Sequence, residues 1–233
     1  MMNKNILCVI PARGGSKGVP YKNIKILDGK PLITYSIDVA RQILSDDDIC
    51  VSTEDQQIID IVEKYGLKVP FVRPKKLATD QVGTYEVLLH ALNQYKEQGK
   101  YYDVILLLQP TSPFRKKHHL EEALGLYSSD IDMVVSVKET AANPYFNLFE
   151  EDESGFLKYS KGNGEYTRRQ DSPKVWEYNG SIYVINCASL LKNKMSKFAL
   201  KKKYPMESIF SIDIDTPIDW VVAEEMIKMN LIK

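Results

Sequence analysis

The sequence of 233 residues predicts an α/β fold, in which a parallel sheet lies between layers of helices. Short apolar runs alternate with segments whose apolar residues recur at helical spacing, and this βαβα order is typical of parallel sheets. Some of the runs, such as 6–10 and 104–108, are apolar throughout, which is expected of strands that are buried on both faces. The length is sufficient for one domain with a sizeable core.

These two patterns predict the elements in order. We predict strands at 6–10, 49–52, 69–72, 104–108, 133–137, 181–185 and 207–214. Helical stripes predict helices from Pro31 to about residue 44, then at about 58–65, 87–95, 120–127 and 217–229. The alternation breaks at about 138–176, in an irregular stretch that is too rich in Phe and Tyr for a linker. We therefore predict one domain, 1–233, that carries an arm at about 138–176.

Composition excludes several classes of function. Lys plus Arg and Asp plus Glu both number 31, and this zero net charge argues against a general binder of nucleic acid or of anionic membranes. The three cysteines are far apart and show no CxxC spacing, which disfavours a disulfide framework or a structural zinc site and favours a reducing compartment. The first apolar run is too short for a signal peptide or a membrane span, so we expect a cytoplasmic, soluble protein.

The loop at 11–23, directly after the first strand, is the first candidate site. It contains three glycines and three cations, namely Gly14, Gly15, Gly18, Arg13, Lys17 and Lys22. Glycines let the backbone approach a ligand closely, and the ligand crevice of an open α/β sheet lies where this loop must sit. The spacing matches neither GxxxxGK[ST] nor GxGxxG, yet the cations favour a polyphosphate ligand. The alternative is a glycine-rich surface turn with solvated lysines.

The acidic segment at 211–217 is the second candidate. Alternation along a strand would place Asp213 and Asp215 on one face and Ile212 and Ile214 on the other. Two neighbouring carboxylates repel each other unless a cation lies between them, and Mg²⁺ suits such a pair. Alternatively, Asp215 or Thr216 caps the helix that begins at Pro217, and Asp213 is solvated.

Two further segments are weaker candidates. Gln109 follows the clearest central strand within a Pro-rich loop, where it could reach the crevice or belong to a simple strand-to-helix turn. Arg168 and Arg169 could bind a carboxylate bidentately or could be solvated surface residues. We interpret the pair at 118–119, His-His, and the lysine run at 201–203 as surface residues.

Taken together, these motifs resemble those of the acylneuraminate cytidylyltransferases, the CMP-sialic acid synthetases. The resemblance spans essentially the whole chain, and the segments that carry it are 10–18, 22–23, 29–33, 52–53, 73–74, 77–80, 109–113, 169–170, 179–183 and 213–216. It implies a Rossmann-like three-layer sandwich with a mostly parallel sheet, and a homodimer built through the arm. It also implies Mg²⁺ as cofactor, with CTP and a nine-carbon 2-keto sugar acid, a nonulosonic acid, as partners. The products would be the CMP-sugar and pyrophosphate.

The resemblance also implies roles for individual residues. The implied nucleotide-binding residues are Ala12, Arg13, Gly14, Ser16, Lys17, Lys22, Asn23, Arg73 and Thr84. The implied sugar-binding residues are Gln109, Phe146, Arg169, Asn179 and Tyr183. Asp213 and Asp215 would hold Mg²⁺ and, with Arg13 and Lys22, form the catalytic set.

One position in the arm departs from the sialate pattern. Phe146 stands where some sialate enzymes carry a lysine near the sugar, and this part of the arm is more similar to the legionaminate-activating branch. The alternatives are an enzyme for another sugar acid, such as KDO or pseudaminate, and a non-catalytic homologue that binds nucleotides. The latter would be expected to lack an acidic metal ligand or a loop cation, and this chain has both.

Overall fold

The computed structural model describes residues 4–232 and is built around a six-stranded sheet. The strands are β1 (Ile6–Pro11), β2 (Ile26–Leu27), β3 (Lys30–Pro31), β4 (Ile49–Ser52), β5 (Val104–Leu108), β6 (Met133–Glu139), β7 (Phe149–Glu151), β8 (Leu157–Tyr159), β9 (Trp176–Asn186) and β10 (Lys201–Pro205). The α-helices are α1 (Leu32–Arg41), α2 (Gln56–Lys64), α3 (Thr84–Glu97), α4 (Lys117–Gly125), α5 (Cys187–Lys192) and α6 (Pro217–Lys228). No helix within 4–232 is both long enough and apolar enough to cross a bilayer.

The sheet has the order β10-β6-β9-β5-β1-β4 and is mostly parallel, as predicted. Five strands run in one direction, while β9 is antiparallel to both of its neighbours, β5 and β6. The β6–β9 register shifts between Val135 and Val137, so β9 bends at this point. Because β9 runs the opposite way, its first half lies at the edge of the sheet where the five parallel strands end.

Helices cover both faces of the sheet because its central strands are apolar on both sides. Along β5, Leu106 packs with residues of α1, α2 and α4 on one face, while Ile105 and Leu107 pack with α3 and α5 on the other. A third cluster joins Ile214 and Trp220 to the β2–β3 hairpin and holds α6 beside the loop after β1. The resulting three layers confirm the predicted fold class.

Two predicted strands do not form. Residues 69–72 are irregular and pair with no strand, although Val69 still buries its side chain. Residues 207–214 form a short 3₁₀ turn, Ser208–Phe210, followed by irregular chain. In both segments apolar residues are anchored to the core without a ladder of backbone hydrogen bonds.

Of the two surface predictions, the one for the lysine run is confirmed, and the one for the histidine pair is wrong at His119. The lysine run belongs to β10, an edge strand that pairs only with β6 and keeps its three lysine side chains exposed. His119 is buried at the start of α4, where its Nδ1 accepts a hydrogen bond from the backbone N–H of Lys116 at 3.1 Å. Burial lowers the pKa of His119 to about 4, so it acts as a neutral cap.

Candidate active site

A cleft of about 500 Å³ opens where β1 and β5 end. Its walls are the loop after β1, the segment that leads into α3, and the loop after β5. The predicted site residues that line it are Arg13, Ser16, Lys17, Lys22, Asn23, Arg73, Thr84, Gln109 and Asp215. The fold therefore brings the first loop, the Pro-rich loop and the acidic segment to one place, as the sequence predicts.

The two outer cations of the first loop meet one carboxylate. Arg13 Nη1 lies 2.6 Å from Asp80 Oδ1, and Lys17 Nζ lies 2.5 Å from Asp80 Oδ2. The Asn23 side chain donates to the backbone carbonyl of Arg13 at 3.0 Å and thereby holds the start of the loop. Hydrogen bonds from Lys17 and Arg13 lower the pKa of the Asp80 carboxyl. Two positive charges thus face the cleft with a single anionic partner.

A buried ion pair positions the next cation. Arg73 Nη2 lies 2.5 Å from Glu54 Oε2, and both side chains are almost inaccessible to water. The other oxygen of Glu54 accepts the backbone N–H of Gly14 at 2.9 Å. Glu54 therefore connects Arg73 to the glycine-rich loop. The sequence analysis missed Glu54, although its place directly after the motif Ser52-Thr53 at the end of β4 was a usable signal.

Lys22 connects the first loop to the acidic segment. Its Nζ donates to the backbone carbonyl of Ile214 at 2.5 Å and to Asp215 Oδ1 at 2.8 Å. The backbone of the first loop also contacts the acidic segment directly at Gly18. A Cβ atom added there would lie only 2.0 Å from the carbonyl oxygen of Asp215. A glycine is required there because any side chain would push the acidic segment away from the loop.

Asp213 has a half-buried carboxylate that feels the charge of Asp215. Its Oδ1 is buried and accepts no hydrogen bond from the described residues. Burial raises the pKa of Asp213; the nearby Thr111 hydroxyl offsets part of this rise, and the charge of Asp215 adds to it. Within 4–232, no three His, Cys, Asp or Glu residues cluster so that they could hold a metal alone. The pair Asp213 and Asp215 fits Mg²⁺, which commonly takes one or two carboxylates together with phosphate and water.

The loop after β5 is fixed from beneath by Arg115. This guanidinium is buried; it donates from Nε to the carbonyl of Ser112 at 3.0 Å and from Nη2 to the carbonyl of Gln109. The backbone N–H of Ile214 donates to the carbonyl of Thr111 at 2.8 Å, so the acidic segment rests on the same loop. Gln109 is left with its side chain at the cleft. Its Oε1 would lie 3.6 Å from a Cβ atom at Gly180.

Comparison with known proteins identifies the family. A family model described as Cytidylyltransferase matches residues 7–231. The chain belongs to the cytidylyltransferase family. It is 36% identical to the CMP-N,N'-diacetyllegionaminic acid synthase of Legionella pneumophila over 97% of both chains. It is 37% identical to the N-acylneuraminate cytidylyltransferase of Streptococcus agalactiae over 92% of this chain and 51% of that protein, so it spans about half of that relative.

A solved structure agrees with this assignment at the level of fold. A CMP:2-keto-3-deoxy-manno-octonic acid synthetase complexed with CTP superposes with a TM-score of 0.70 and 17% identity, over 97% of this chain and 99% of that one. The family model and the relatives make the chain an enzyme of the nucleotidyltransferase type, and the solved structure shows that its fold is Rossmann-like α/β.

One predicted sugar contact of the cytidylyltransferase has a structural role. The side chain of Asn179 is buried; its Oδ1 accepts from Ser136 Oγ at 2.6 Å, and its Nδ2 donates to Ser211 Oγ at 2.9 Å. With these groups used internally, its side chain does not face the cleft. Asn179 instead holds the bend of β9 next to Gly180, which has φ +70°. The backbone at Gly180 lies so close to Asp213 that a Cβ atom added there would be 3.1 Å from Asp213 Oδ2.

The remaining predicted residues lie outside the cleft of the single chain. Arg169 is exposed and Phe146 is half-buried in the arm, and neither lines the cleft. Tyr183 on β9 packs edge-to-face on Tyr178, with the two ring centroids 6.2 Å apart. Burial, with the charge of Asp213, raises the pKa of Tyr183 to about 12.

Ala12 is fully buried. It positions the loop through its N–H, which donates to the carbonyl at the end of β4.

Proposed function

We propose that this cytidylyltransferase activates a nonulosonic acid with CTP. The anomeric 2-hydroxyl oxygen attacks the α-phosphorus, the bond from that phosphorus to the bridging oxygen breaks, and pyrophosphate departs while the hydroxyl proton passes to solvent. The observation that carries the proposal is the convergence of the loop cations, Asp215 and Gln109 on one cleft. Such a transfer needs positioning and charge neutralisation and no protein nucleophile.

The cations and carboxylates divide the work along the nucleotide. Arg13 and Lys17 lie at the open side of the cleft and would bind the outer phosphates, where charge accumulates as pyrophosphate departs. Asp213 and Asp215 would hold Mg²⁺, which when bound neutralises phosphate charge and favours departure of the leaving group. Lys22, which already pairs with Asp215, keeps the acidic pair against the first loop.

Arg73 and Thr84 would surround the cytidine. Glu54 fixes the guanidinium of Arg73, so this contact is formed before the nucleotide arrives. Preorganisation of this kind lowers the entropy cost of binding.

The arm supports a homodimer in which each subunit completes the site of the other. Its hairpin, β7–β8, leaves large apolar side chains in water, including Phe156 at 70% and Leu157 at 68% exposure. A cluster of exposed apolar residues is typical of a protein interface. Arg169 and Phe146 do not reach the cleft of their own chain, and a partner subunit could supply them to the sugar. Arg169 would then bind the sugar carboxylate.

For the sugar, we propose a preference for legionaminic acid over sialic acid. The apolar Phe146 suits the methyl end of a deoxygenated tail and offers no hydrogen bond to a glycerol tail. A matched methyl contributes about 1–3 kcal/mol, so the preference would be roughly ten- to two-hundred-fold. The relatives are consistent with this choice, since the Legionella protein matched over 97% of its length is a legionaminic acid synthase. Because the reaction uses CTP, we expect it to take place in the cytoplasm.

The test is pyrophosphate release from each of the four nucleoside triphosphates with a panel of 2-keto sugar acids. Release that requires CTP and a nonulosonic acid supports the proposal. Release with KDO but not with nine-carbon acids would reassign the substrate. No release with any pair, from a folded protein that still binds CTP, would indicate a non-catalytic nucleotide-binding homologue.

A further inference from the structure

Asp80 pairs with the two loop cations, Arg13 and Lys17, to which the proposed function assigns the outer phosphates of the nucleotide. It lies 67 residues from Arg13 along the chain, on the segment that leads into α3, yet each of its two oxygens meets one loop cation. Arg13, Lys17 and Asp80 all line the cleft. Among residues 4–232, Asp80 is the one carboxylate that forms an ion pair with either cation.

The carboxylate of Asp80 bridges the two loop cations. At 2.5 to 2.6 Å, the carboxylate oxygens already make short charged hydrogen bonds with Lys17 Nζ and Arg13 Nη1. A phosphate that bridges the same two nitrogen atoms would have to take the position that the carboxylate now occupies. The negative charge of Asp80 would also repel a phosphate nearby. Asp80 and the outer phosphates therefore compete for one pair of cations.

Exposure decides whether such a pair can be displaced. The side chains of Arg13, Lys17 and Asp80 are 37%, 78% and 47% exposed, and ion pairs in water are weak and easily exchanged. The pair between Glu54 and Arg73 has 13% and 4% exposed side chains, and breaking it would strand a buried charge. The same cleft thus contains one fixed ion pair at its inner end and one exchangeable pair at its mouth.

We propose that Asp80 is a displaceable counter-anion that competes with the triphosphate of CTP and with the product pyrophosphate for Arg13 and Lys17. It lowers the affinity for both anions and thereby helps pyrophosphate to leave. This inference rests on the proposed use of CTP, because the competing anion is its phosphate chain. A residue that merely prepared the loop for binding would raise the affinity for these anions, whereas Asp80 as a competitor lowers it.

The test is the isosteric variant Asp80→Asn, with pyrophosphate alone and CTP alone as probes, measured by calorimetry in metal-free buffer. We expect the dissociation constants of both to fall by about three- to ten-fold, the range for removal of two exposed ion pairs. The inhibition constant of pyrophosphate in the turnover assay should fall by a similar factor. Asp80→Glu, which keeps the charge, should remain near the parental affinity.

A matched control is available at Asp46, which pairs with Arg41 at 2.8 Å on the surface away from the cleft. Asp46→Asn should leave both dissociation constants unchanged. Unchanged or weaker pyrophosphate binding by Asp80→Asn, with a parental melting temperature, would overturn the inference and show that Asp80 prepares the loop. A failure of the proposed function would be seen separately, as parental protein that releases no pyrophosphate from CTP with any sugar acid.

Discussion

Replacement of Asp213 by asparagine should strongly reduce turnover and at the same time stabilise the metal-free protein. The structure gives the reason: Asp213 Oδ1 is buried without a hydrogen-bond partner, and burial raises the pKa of this carboxyl above 3.8. An unsatisfied buried polar group costs about 1–3 kcal/mol, and the charge of Asp215 adds to the cost of ionisation. Asparagine removes the charge and keeps the shape.

The two effects have different sizes and different pH dependence. Loss of one carboxylate from a Mg²⁺ site should lower kcat by about 100-fold or more, equivalent to about 3 kcal/mol. If about 1 kcal/mol of burial cost is relieved, the melting temperature should rise by about 2–4 °C for a chain of this size. Because the pKa is raised on folding, Asp213 costs no stability at pH well below 3.8 and costs most when it is ionised. The gap between variant and parent should therefore open as the pH rises above 3.8.

Thermal melts in metal-free buffer at several pH values, together with pyrophosphate release at limiting Mg²⁺, measure both effects. Added Mg²⁺ should raise the melting temperature of the parent and should have little effect on the variant. Asp60→Asn, on the exposed side of α2, is the control and should change neither quantity. A drop of several degrees in metal-free buffer would refute the conclusion that the ionised carboxylate of Asp213 destabilises the metal-free protein. Parental turnover at limiting Mg²⁺ would refute its assignment to the metal.

Three other outcomes can be tested with simple variants. Lys22→Met should lower kcat/KM by about 100-fold, because Lys22 is bound to the acidic segment. Lys201→Met, on the edge strand, is the control and should leave kcat/KM unchanged; equal effects would mean that only general surface charge matters. Light scattering at micromolar concentration should give a mass of twice the 26.6 kDa of one chain, and a monomeric parental protein would disprove the proposed dimer. Phe156→Asp, in the exposed hairpin, should weaken that dimer. Arg169→Ala should reduce kcat/KM for every sugar acid alike. Phe146→Lys should shift the ratio of kcat/KM values for legionaminic and sialic acid toward sialic acid, and an unchanged ratio would show that Phe146 does not set the specificity.

The sequence alone determined the layers of the fold and the region of the site. Apolar runs such as that of β5 have to be buried on both faces, and helical stripes have to pack against a sheet, so their order is enough to predict the sandwich. The glycines and cations after β1 have to stand where the strands end, which predicts the end of the cleft that we propose binds the phosphates. These features follow from the pattern of apolar and polar residues within each segment and from the order of the segments along the chain.

The tertiary structure decided which charges meet and which polar groups remain free. The contact of Lys22 with Asp215 spans 193 residues, and that of Arg13 with Asp80 spans 67, so neither follows from spacing along the sequence. Asn179 has the chemistry of a sugar ligand, yet the bend of β9 turns its side chain into the core. Ion pairs and hydrogen bonds act over a few ångströms in the folded chain, and only the completed fold sets those distances.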